Sequence, residues 1–235
     1  MGFFIILILV ILAIIGIQLL KYNLFYKLDE EYETATKKTS YEVYNDAGAY
    51  GEYKTYLILK DLPGYKKFLF NCYLPKPDGN TTEIDLIMLH TSGIYVFETK
   101  NYSGWIFGSE NQQQWTQTIG KGYYGISKHR FLNPLIQNNV HIKELRRHIQ
   151  SFYCALPIYS VIVFGDNCYL KNIQLNTNKH IITQHYNIYN ILNDIISTTE
   201  GNVSETEINL IYSNLFPYTQ TDEYTKYKHI HNIYC

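Results

Sequence analysis

Two strongly apolar segments, separated only by a short turn, are the feature that most constrains how this chain folds. They are residues 84–89 and 94–97, and the turn between them includes Ser92 and Gly93. Segments that are apolar on both faces are typical of central strands in a sheet. A short connection between two such strands makes them antiparallel. The sequence therefore predicts an antiparallel hairpin inside a buried sheet.

Three charged residues interrupt this hairpin: Asp85, Glu98 and Lys100. Side chains alternate between the two faces of a strand, so Glu98 and Lys100 point the same way. The position of Asp85 depends on the length of the turn. A two-residue loop pairs Asp85 with Lys100, a four-residue loop pairs it with Glu98, and a three-residue loop sends it to the opposite face.

Charged side chains are seldom buried unless they are paired or hold a metal, and both interpretations apply here. If the three residues converge, two carboxylates and a backbone carbonyl can hold a hard cation such as Mg²⁺. The lysine then orients or helps to deprotonate a bound water, which suits phosphodiester hydrolysis. The alternative is a structural ion pair of Lys100 with Glu98 or Asp85. The spacing alone leaves the two interpretations open.

The elements around the hairpin follow a regular order. A helix begins near Gly48, a strand covers residues 66–74, and the hairpin supplies two more strands. Asn133 and Pro134 then predict the N-cap and the first residue of a second helix. A strand over residues 158–164 follows. The order helix, three strands, helix, strand predicts an α/β protein of the α+β type, with a mixed sheet and an αβββαβ core.

The remaining segments carry weaker patterns. Residues 111–130 are rich in Gln and Gly, which predicts an excursion on the surface. Beyond residue 165 we expect short strands near Ile173 and Ile181, and helices over about 186–196 and 205–215.

The N-terminus is apolar, because residues 2–20 form 19 consecutive positions without a formal charge. As a helix this segment spans roughly 28 Å, close to the thickness of a bilayer core. Lysines follow the segment and none precedes it, which places the rest of the chain on the cytoplasmic side. The sequence therefore predicts a single-pass anchor in the cell membrane over residues 1–20, with a cytoplasmic C-terminal domain.

The rest of the chain divides into a polar linker at 21–47 that can form helix, a domain at 48–165 and an αβ extension at 166–235 that packs on the core or follows it. Four cysteines without a CxxC pair indicate neither a zinc ribbon nor a disulfide framework. The net charge of -1 excludes a global basic field, so any nucleic-acid binding must come from a local patch.

A basic face on the second predicted helix consists of Lys143, Arg146, Arg147 and His148. These residues can contact phosphates, but a solvated helix face is the favoured interpretation, since they lie opposite an apolar stripe.

Four other residues are interpreted conservatively. Trp105 and Trp115 can stack on bases, yet core packing is favoured for both. His229 and His231 lack a fourth ligand at zinc-like spacing with Cys235, so we interpret them as tail residues.

Several separated motifs resemble a known family. They are Gly51-Glu52 on the first helix, the stretch TEIDLIMLHTSGIYVFETKNYSGWIFG, the later Trp115, and FLNPLIQNN before the second helix. Together they are similar to the nuclease-related domain, or NERD domain, a branch of the PD-(D/E)xK restriction-endonuclease-like fold. The resemblance covers about residues 48–164.

The resemblance implies roles for five residues. Asp85 and Glu98 would be metal ligands and Lys100 the catalytic lysine. Glu52 would be a further acidic member of the site, and Gln137 a polar residue that lines it.

The sequence as a whole predicts a membrane-anchored, cytoplasmic NERD-domain protein that hydrolyses phosphodiesters in DNA with Mg²⁺ or Mn²⁺. RNA is not excluded as a substrate, and the oligomeric state is left open. The alternative prediction is a catalytically silent, membrane-tethered module that binds nucleic acid or a protein.

Overall fold

The computed structural model of the protein describes the backbone of residues 2–25, 27–120, 125–150, 156–199, 201 and 203–234. The α-helices in this part of the chain are α1 (Gly2–Phe25), α2 (Glu30–Thr36), α3 (Ser40–Asn45), α4 (Ala47–Leu59), α5 (Pro134–Ile149), α6 (His185–Thr198), α7 (Glu205–Leu215) and α8 (Glu223–Tyr234). A short 3-10 helix, Phe216–Thr219, lies between the last two.

Nine strands occur in the same described ranges. They are β1 (Lys66–Pro75), β2 (Thr81–His90), β3 (Gly93–Lys100), β4 (Gly104–Ser109), β5 (Gln114–Gly120), β6 (Ile126–Leu132), β7 (Ile158–Phe164), β8 (Cys168–Gln174) and β9 (His180–Gln184). The fold is therefore of mixed α and β type, as predicted.

The strands form two mixed sheets. Sheet 1 has the order β1-β2-β3-β7-β9, in which β1, β2 and β3 are antiparallel and β3, β7 and β9 are parallel. Sheet 2 has the order β6-β5-β4-β8, antiparallel except for the parallel pair of β4 and β8. The predicted helix, three-strand, helix, strand order is present as α4, β1, β2, β3, α5 and β7.

Sheet 1 is covered on both faces, which explains why its central strands are apolar on both sides. On one face, Phe97 of β3 and Val161 of β7 belong to a core cluster with Tyr53 and Tyr56 of α4 and Ile188 of α6. On the other face, α5 and α7 supply the helical part of a second cluster. Its members include Ile87, Val96, Leu145 and Ile211. The sheet is thus the middle of three layers.

Sheet 2 corrects the prediction of a surface excursion over residues 111–130, because this stretch contains β5 and most of β6. Only one face of β5 and β6 is covered, mainly through Trp115 and Phe131, so the apolar alternation is too weak to indicate strands. Trp115 is fully buried, as predicted. Trp105 is 47% exposed, so the prediction of core packing is wrong for this residue.

The predicted linker at 21–47 instead contains α2 and α3, which pack on the core. Tyr32 and Val43, one in each helix, are 1% and 0% exposed. Asp29 caps α2 and accepts a hydrogen bond from the Tyr56 hydroxyl at 2.6 Å. These contacts attach α2 to α4, a long-range effect that a polar local sequence does not reveal.

The C-terminal region completes both sheets. Strand β8 joins sheet 2 beside β4, and β9 joins sheet 1 beside β7. Helix α7 covers sheet 1 through Ile208, Ile211 and Leu215, which are all buried.

The transmembrane helix predicted over residues 1–20 is not supported. On the residues that the structure describes, no helix is long and apolar enough to cross a membrane. Part of the predicted segment, at residues 1–3, 5 and 18–20, lies outside the residues whose side chains are described.

A buried histidine connects α6 to α4. The Nε2 atom of His185 lies 3.0 Å from Thr55 Oγ1 and 3.2 Å from the carbonyl oxygen of Gly51. Burial, with a smaller contribution from the Lys54 charge, lowers the pKa of His185 from 6.5 to about 4. Folding therefore favours the neutral imidazole.

This shift predicts a loss of stability in mild acid. Between pH 6.5 and 4 the unfolded chain binds a proton at His185 that the folded chain does not, so the free energy of unfolding falls as the pH falls. The expected contribution of His185 between pH 7.5 and 5 is about 2 kcal/mol. Urea unfolding of the protein and of His185→Gln at both pH values measures it. An equal pH dependence in the two proteins would contradict the assignment.

Candidate active site

The hairpin turn sets the positions of the charged residues. Thr91 and Ser92 connect β2 to β3, His90 pairs with Gly93, and Leu86 pairs with Phe97. The loop consists of Thr91 and Ser92, so it lies one position earlier in the chain than a two-residue loop made of Ser92 and Gly93. Asp85 is therefore level with Glu98, and not with Lys100 as we expected for a loop of this length.

The sheet ladder is interrupted around Asp85. The pairing of β2 with β3 ends at Leu86, and the Asp85 carboxylate accepts a hydrogen bond from the backbone N–H of Thr99 at 3.4 Å. On the other side of β2, the pairing with β1 skips Asn71, the residue opposite Asp85. The backbone of Asn71 has a φ of 48°. Such a φ is uncommon for residues other than Gly, although Asn tolerates it best. The interruption leaves room for a cleft beside Asp85.

Glu98 is the centre of a buried network and is only 3% exposed. Its Oε1 atom lies 2.6 Å from Lys100 Nζ, and its Oε2 atom lies 3.0 Å from Nε2 of His141 on α5. The other ring nitrogen of His141 lies 2.7 Å from Thr82 Oγ1 on β2. Residues of two strands and one helix therefore fix both carboxylate oxygens.

The two carboxylates of the hairpin have opposite pKa shifts. Burial raises the pKa of Asp85, and the nearby charges of Glu98 and Glu52 raise it further. Burial also acts to raise the pKa of Glu98, but Lys100 and His141 outweigh this effect and lower the pKa to about 2. Carboxyl groups with separated pKa values are typical of sites in which one stays charged and the other exchanges protons.

Lys100 is held as a cation. Burial acts to lower its pKa, but the charges of Glu98 and Asp85 outweigh burial and keep the pKa above the usual value for lysine. At neutral pH the Nζ atom is thus a hydrogen-bond donor and a positive charge at the cleft wall.

The cleft has a volume of about 600 Å³ and brings all the predicted site residues together. Its walls include Glu52, Asp85, Glu98, Lys100 and Gln137.

The two outer members of this set come from helices on opposite sides of sheet 1. Glu52 Oε2 on α4 lies 3.6 Å from Lys38 Nζ. Burial raises the pKa of Glu52 against the opposing effect of Lys38, and Glu83 raises it further. On α5, the Oε1 atom of Gln137 is buried without a hydrogen-bond partner among the described residues. An unpartnered buried oxygen indicates that a ligand or water completes this side of the cleft.

A glycine lets α4 approach the site. A Cβ atom at Gly51 would lie 2.7 Å from the Cβ of Asn101, so a larger side chain would push α4 away from the end of β3. Asn101 in turn donates a hydrogen bond to the Ala47 carbonyl at 2.8 Å. These contacts fix the first turn of α4, and with it Glu52, next to the loop that follows Lys100.

Three residues of the cleft were not predicted from the sequence. His141 and Thr82 form the network behind Glu98; His141 lies four positions after Gln137, so helical spacing places it on the same face of α5. The third is His229 on α8, which was interpreted as a tail residue. Its Nδ1 atom lies 2.9 Å from Thr81 Oγ1 at the cleft edge. No local pattern marks His229, since only the fold of the C-terminal region brings it there.

The basic face of α5 lies outside the cleft. Lys143 and Arg146 are exposed, in agreement with a solvated helix face. Arg147 pairs with Glu144 at 2.7 Å and donates to the carbonyl of Pro75, and the His148 ring packs against Tyr218. Two of the four residues thus have structural partners.

Comparison with known proteins identifies the family of this chain. The model of the NERD family, described as nuclease-related domain, matches residues 47–165, which include the five predicted site residues. An uncharacterized protein of Bacillus anthracis is 33% identical over 178 residues, or 75% of this chain and 74% of that protein. No solved structure matches the chain. With half of its length matched by the family model, the chain belongs to the nuclease-related domain family.

Proposed function

We propose that this protein is a metal-dependent hydrolase of phosphodiester bonds in DNA, built on a PD-(D/E)xK type of site. The observation that supports the proposal is the buried Glu98–Lys100 ion pair next to Asp85 at the wall of a 600 Å³ cleft. A purely structural ion pair needs neither the cleft nor the second carboxylate. RNA is a further phosphodiester of the same chemistry.

The donor set is suited to Mg²⁺ or Mn²⁺. Asp85, Glu98 and the unpartnered Oε1 of Gln137 are oxygen donors, which these ions prefer, and Mg²⁺ needs only one or two carboxylates because it keeps several waters. Asp85 and Glu98 would hold the ion. When bound, the ion would activate a water and neutralise charge on the phosphoryl group.

Lys100 contributes a fixed donor to the reaction. Because Glu98 holds the Nζ atom at 2.6 Å and the lysine is protonated, Nζ can donate a hydrogen bond to the attacking water or to a phosphate oxygen. A preorganised charge of this kind stabilises the negative charge that develops in the transition state.

His141 is a positioning residue. It contacts Glu98 at 3.0 Å and is itself held by Thr82 at 2.7 Å, so it fixes the orientation of the carboxylate that holds Lys100. Groups that orient a catalytic or metal-binding carboxylate contribute strongly to activity without touching the substrate.

A second candidate function is a binding module that keeps the fold without cutting. Both oxygens of Glu98 already have partners, and in the described part of the chain no three His, Cys, Asp or Glu side chains form a metal-binding group. A module of this kind would bind nucleic acid or a protein through the cleft. The membrane anchor and the cytoplasmic location stay predictions of the sequence, and neither proposal depends on them.

The catalytic roles predict the effect of two substitutions. Lys100→Met removes the donor and Asp85→Asn removes a carboxylate, so each variant should lose at least about 100-fold in cleavage rate. The measurement is nicking of supercoiled plasmid DNA with Mg²⁺, with Mn²⁺ and with EDTA. Lys143→Met is the matched control, because Lys143 is exposed on α5 outside the cleft, and it should keep full activity.

The two outcomes separate the candidate functions. Metal-dependent nicking that survives in Lys100→Met would contradict the role of Lys100. A folded wild-type protein that binds DNA without any metal-dependent cleavage would favour the binding module.

The positioning role predicts a different result for His141→Gln. The variant should lose about 10- to 100-fold in kcat and require more metal, while the affinity for DNA changes little, because His141 acts through Glu98. Plasmid nicking as a function of Mg²⁺ concentration, with DNA binding measured in EDTA, tests this. His148→Gln, on the same helix but packed against Tyr218, is the control. Equal kinetics for both variants would show that His141 has no such role.

A further inference from the structure

Sheet 2 has one covered face and one open face. The covered face contributes Ile106, Trp115 and Cys168 to a core cluster. The opposite face, which we call the outer face, presents alternate residues of the same strands. On β6 these are residues 126, 128, 130 and 132, all of them exposed. These β6 residues are open to solvent, whereas Thr118 of β5, in the middle of the same face, is only 9% exposed.

The strand register arranges the outer face in rows. Trp105 on β4 pairs with Tyr169 on β8 and with Thr118 on β5, and Thr118 pairs with Lys128 on β6. These four residues therefore lie side by side across the sheet, at about 4.8 Å from strand to strand. A second row contains Phe107, Thr116 and Arg130.

Aromatic rings are the unusual part of this surface. Trp105 is 47% exposed and Tyr169 is 66% exposed, side by side on neighbouring strands. The Lys171 Nζ atom lies 5.1 Å from the centre of the Trp105 ring. Single exposed apolar residues are common on protein surfaces, but an exposed Trp next to an exposed Tyr and a cation forms a site for stacking.

The charge of the outer face has one sign. The strands β4, β5, β6 and β8 contain Lys128, Arg130 and Lys171 but no Asp or Glu, although the whole chain has a net charge of -1. Such a local basic patch is complementary to a polyanion.

The outer face continues into the candidate active-site cleft. Leu132, the last residue of β6, lies on the outer face and also lines the cleft. Tyr102, between β3 and β4, also lines the cleft, but its ring packs against Phe131 on the covered face, so Leu132 is the residue that links the outer face to the cleft. A chain-like ligand on the outer face can therefore extend into the cleft.

We propose that the outer face of sheet 2 binds single-stranded nucleic acid and guides it into the cleft. Bases stack on Trp105 and Tyr169, while Lys128, Arg130 and Lys171 contact the phosphates. A single strand is favoured over a duplex because the base faces of a duplex are already stacked on one another. This inference rests on the proposed function, since that function supplies the reason for a nucleic acid near the cleft.

Tryptophan fluorescence tests this proposal directly. The chain has two tryptophans, and Trp115 is fully buried, so quenching by a ligand on the surface reports on Trp105. The probe is an oligothymidylate of about 20 nucleotides, added to the full-length protein in EDTA so that no cleavage occurs. We expect strong, salt-dependent quenching, and weaker quenching with a duplex of the same length.

Variants locate the binding surface. With a labelled oligothymidylate, Trp105→Ala and Tyr169→Ala should each weaken binding by about 5- to 100-fold. The double variant Lys128→Ala/Arg130→Ala should reduce the salt dependence of binding. Tyr41→Ala is the matched control, because Tyr41 is an exposed aromatic residue on α3, remote in sequence from sheet 2, and it should bind normally. Circular dichroism checks that each variant is folded.

The outcomes keep this inference separate from the proposed function. Binding that Trp105→Ala leaves unchanged, or an absence of quenching, would overturn the outer-face site, even if the protein cleaves plasmid DNA. Quenching and weakened binding in a protein that never cleaves would support the outer face and contradict the hydrolase. Quenching by vesicles with anionic lipids but not by the oligothymidylate would overturn the proposal in favour of a membrane surface.

Discussion

The ion pair at Glu98 is the constraint on which the rest of the site depends. A carboxylate that is 3% exposed is costly unless its charge and its lone pairs have partners. These partners come from three elements: Lys100 from β3 itself, His141 from α5, and Thr82 from β2 behind His141. The observed orientation of the Glu98 carboxylate therefore requires α5 to be docked on sheet 1, because His141 reaches Glu98 only from there.

Asp85 has the opposite environment, although it is only one strand away. It lies where the β2 ladder is interrupted on both sides, and the hydrogen bond that it accepts from the Thr99 N–H is long at 3.4 Å. Burial next to two other carboxylates raises its pKa, whereas direct ion pairs lower the pKa of Glu98. Two acidic residues at one level of a hairpin thus become chemically different. The difference comes from the neighbours that each one meets: Lys100 and His141 at Glu98, and two other carboxylates at Asp85.

The parts that could be predicted from the sequence are those that depend on local alternation and on local signals. Period-two alternation placed Glu98 and Lys100 on one face, and Asn133 caps α5 as its sequence indicates, with its side chain accepting from the Leu135 N–H at 2.9 Å. The sequence left open which residue of β3 lies level with Asp85, because a one-residue shift in the turn changes the register of the whole pair. The position of His229 and the packing of α2 and α3 on the core could not be predicted, since their partners are distant in the chain and their own sequences are mostly polar. Sheet 2 was missed for a related reason: a strand that is covered on one face by a few aromatic residues has little apolar alternation to detect.

The path from sheet 1 to sheet 2 explains how the cleft and the outer face stay in register. Strands β3 and β7 are parallel neighbours in sheet 1. The strands that follow them in the chain, β4 and β8, are parallel neighbours in sheet 2. The crossing is held by backbone hydrogen bonds from Gly165 N–H to the Lys100 carbonyl at 3.0 Å and from Gly104 N–H to the Asn167 carbonyl at 3.1 Å. Asn101 packs in the crossing, where a Cβ atom at Gly165 would lie 2.4 Å from its Oδ1. Because both strands cross as one paired unit, Trp105 cannot move far from Lys100 without breaking this ladder. The separation of Trp105 from Lys100 is thus set by the fold, and a strand bound at the proposed outer-face site would reach the cleft at a fixed distance from Lys100.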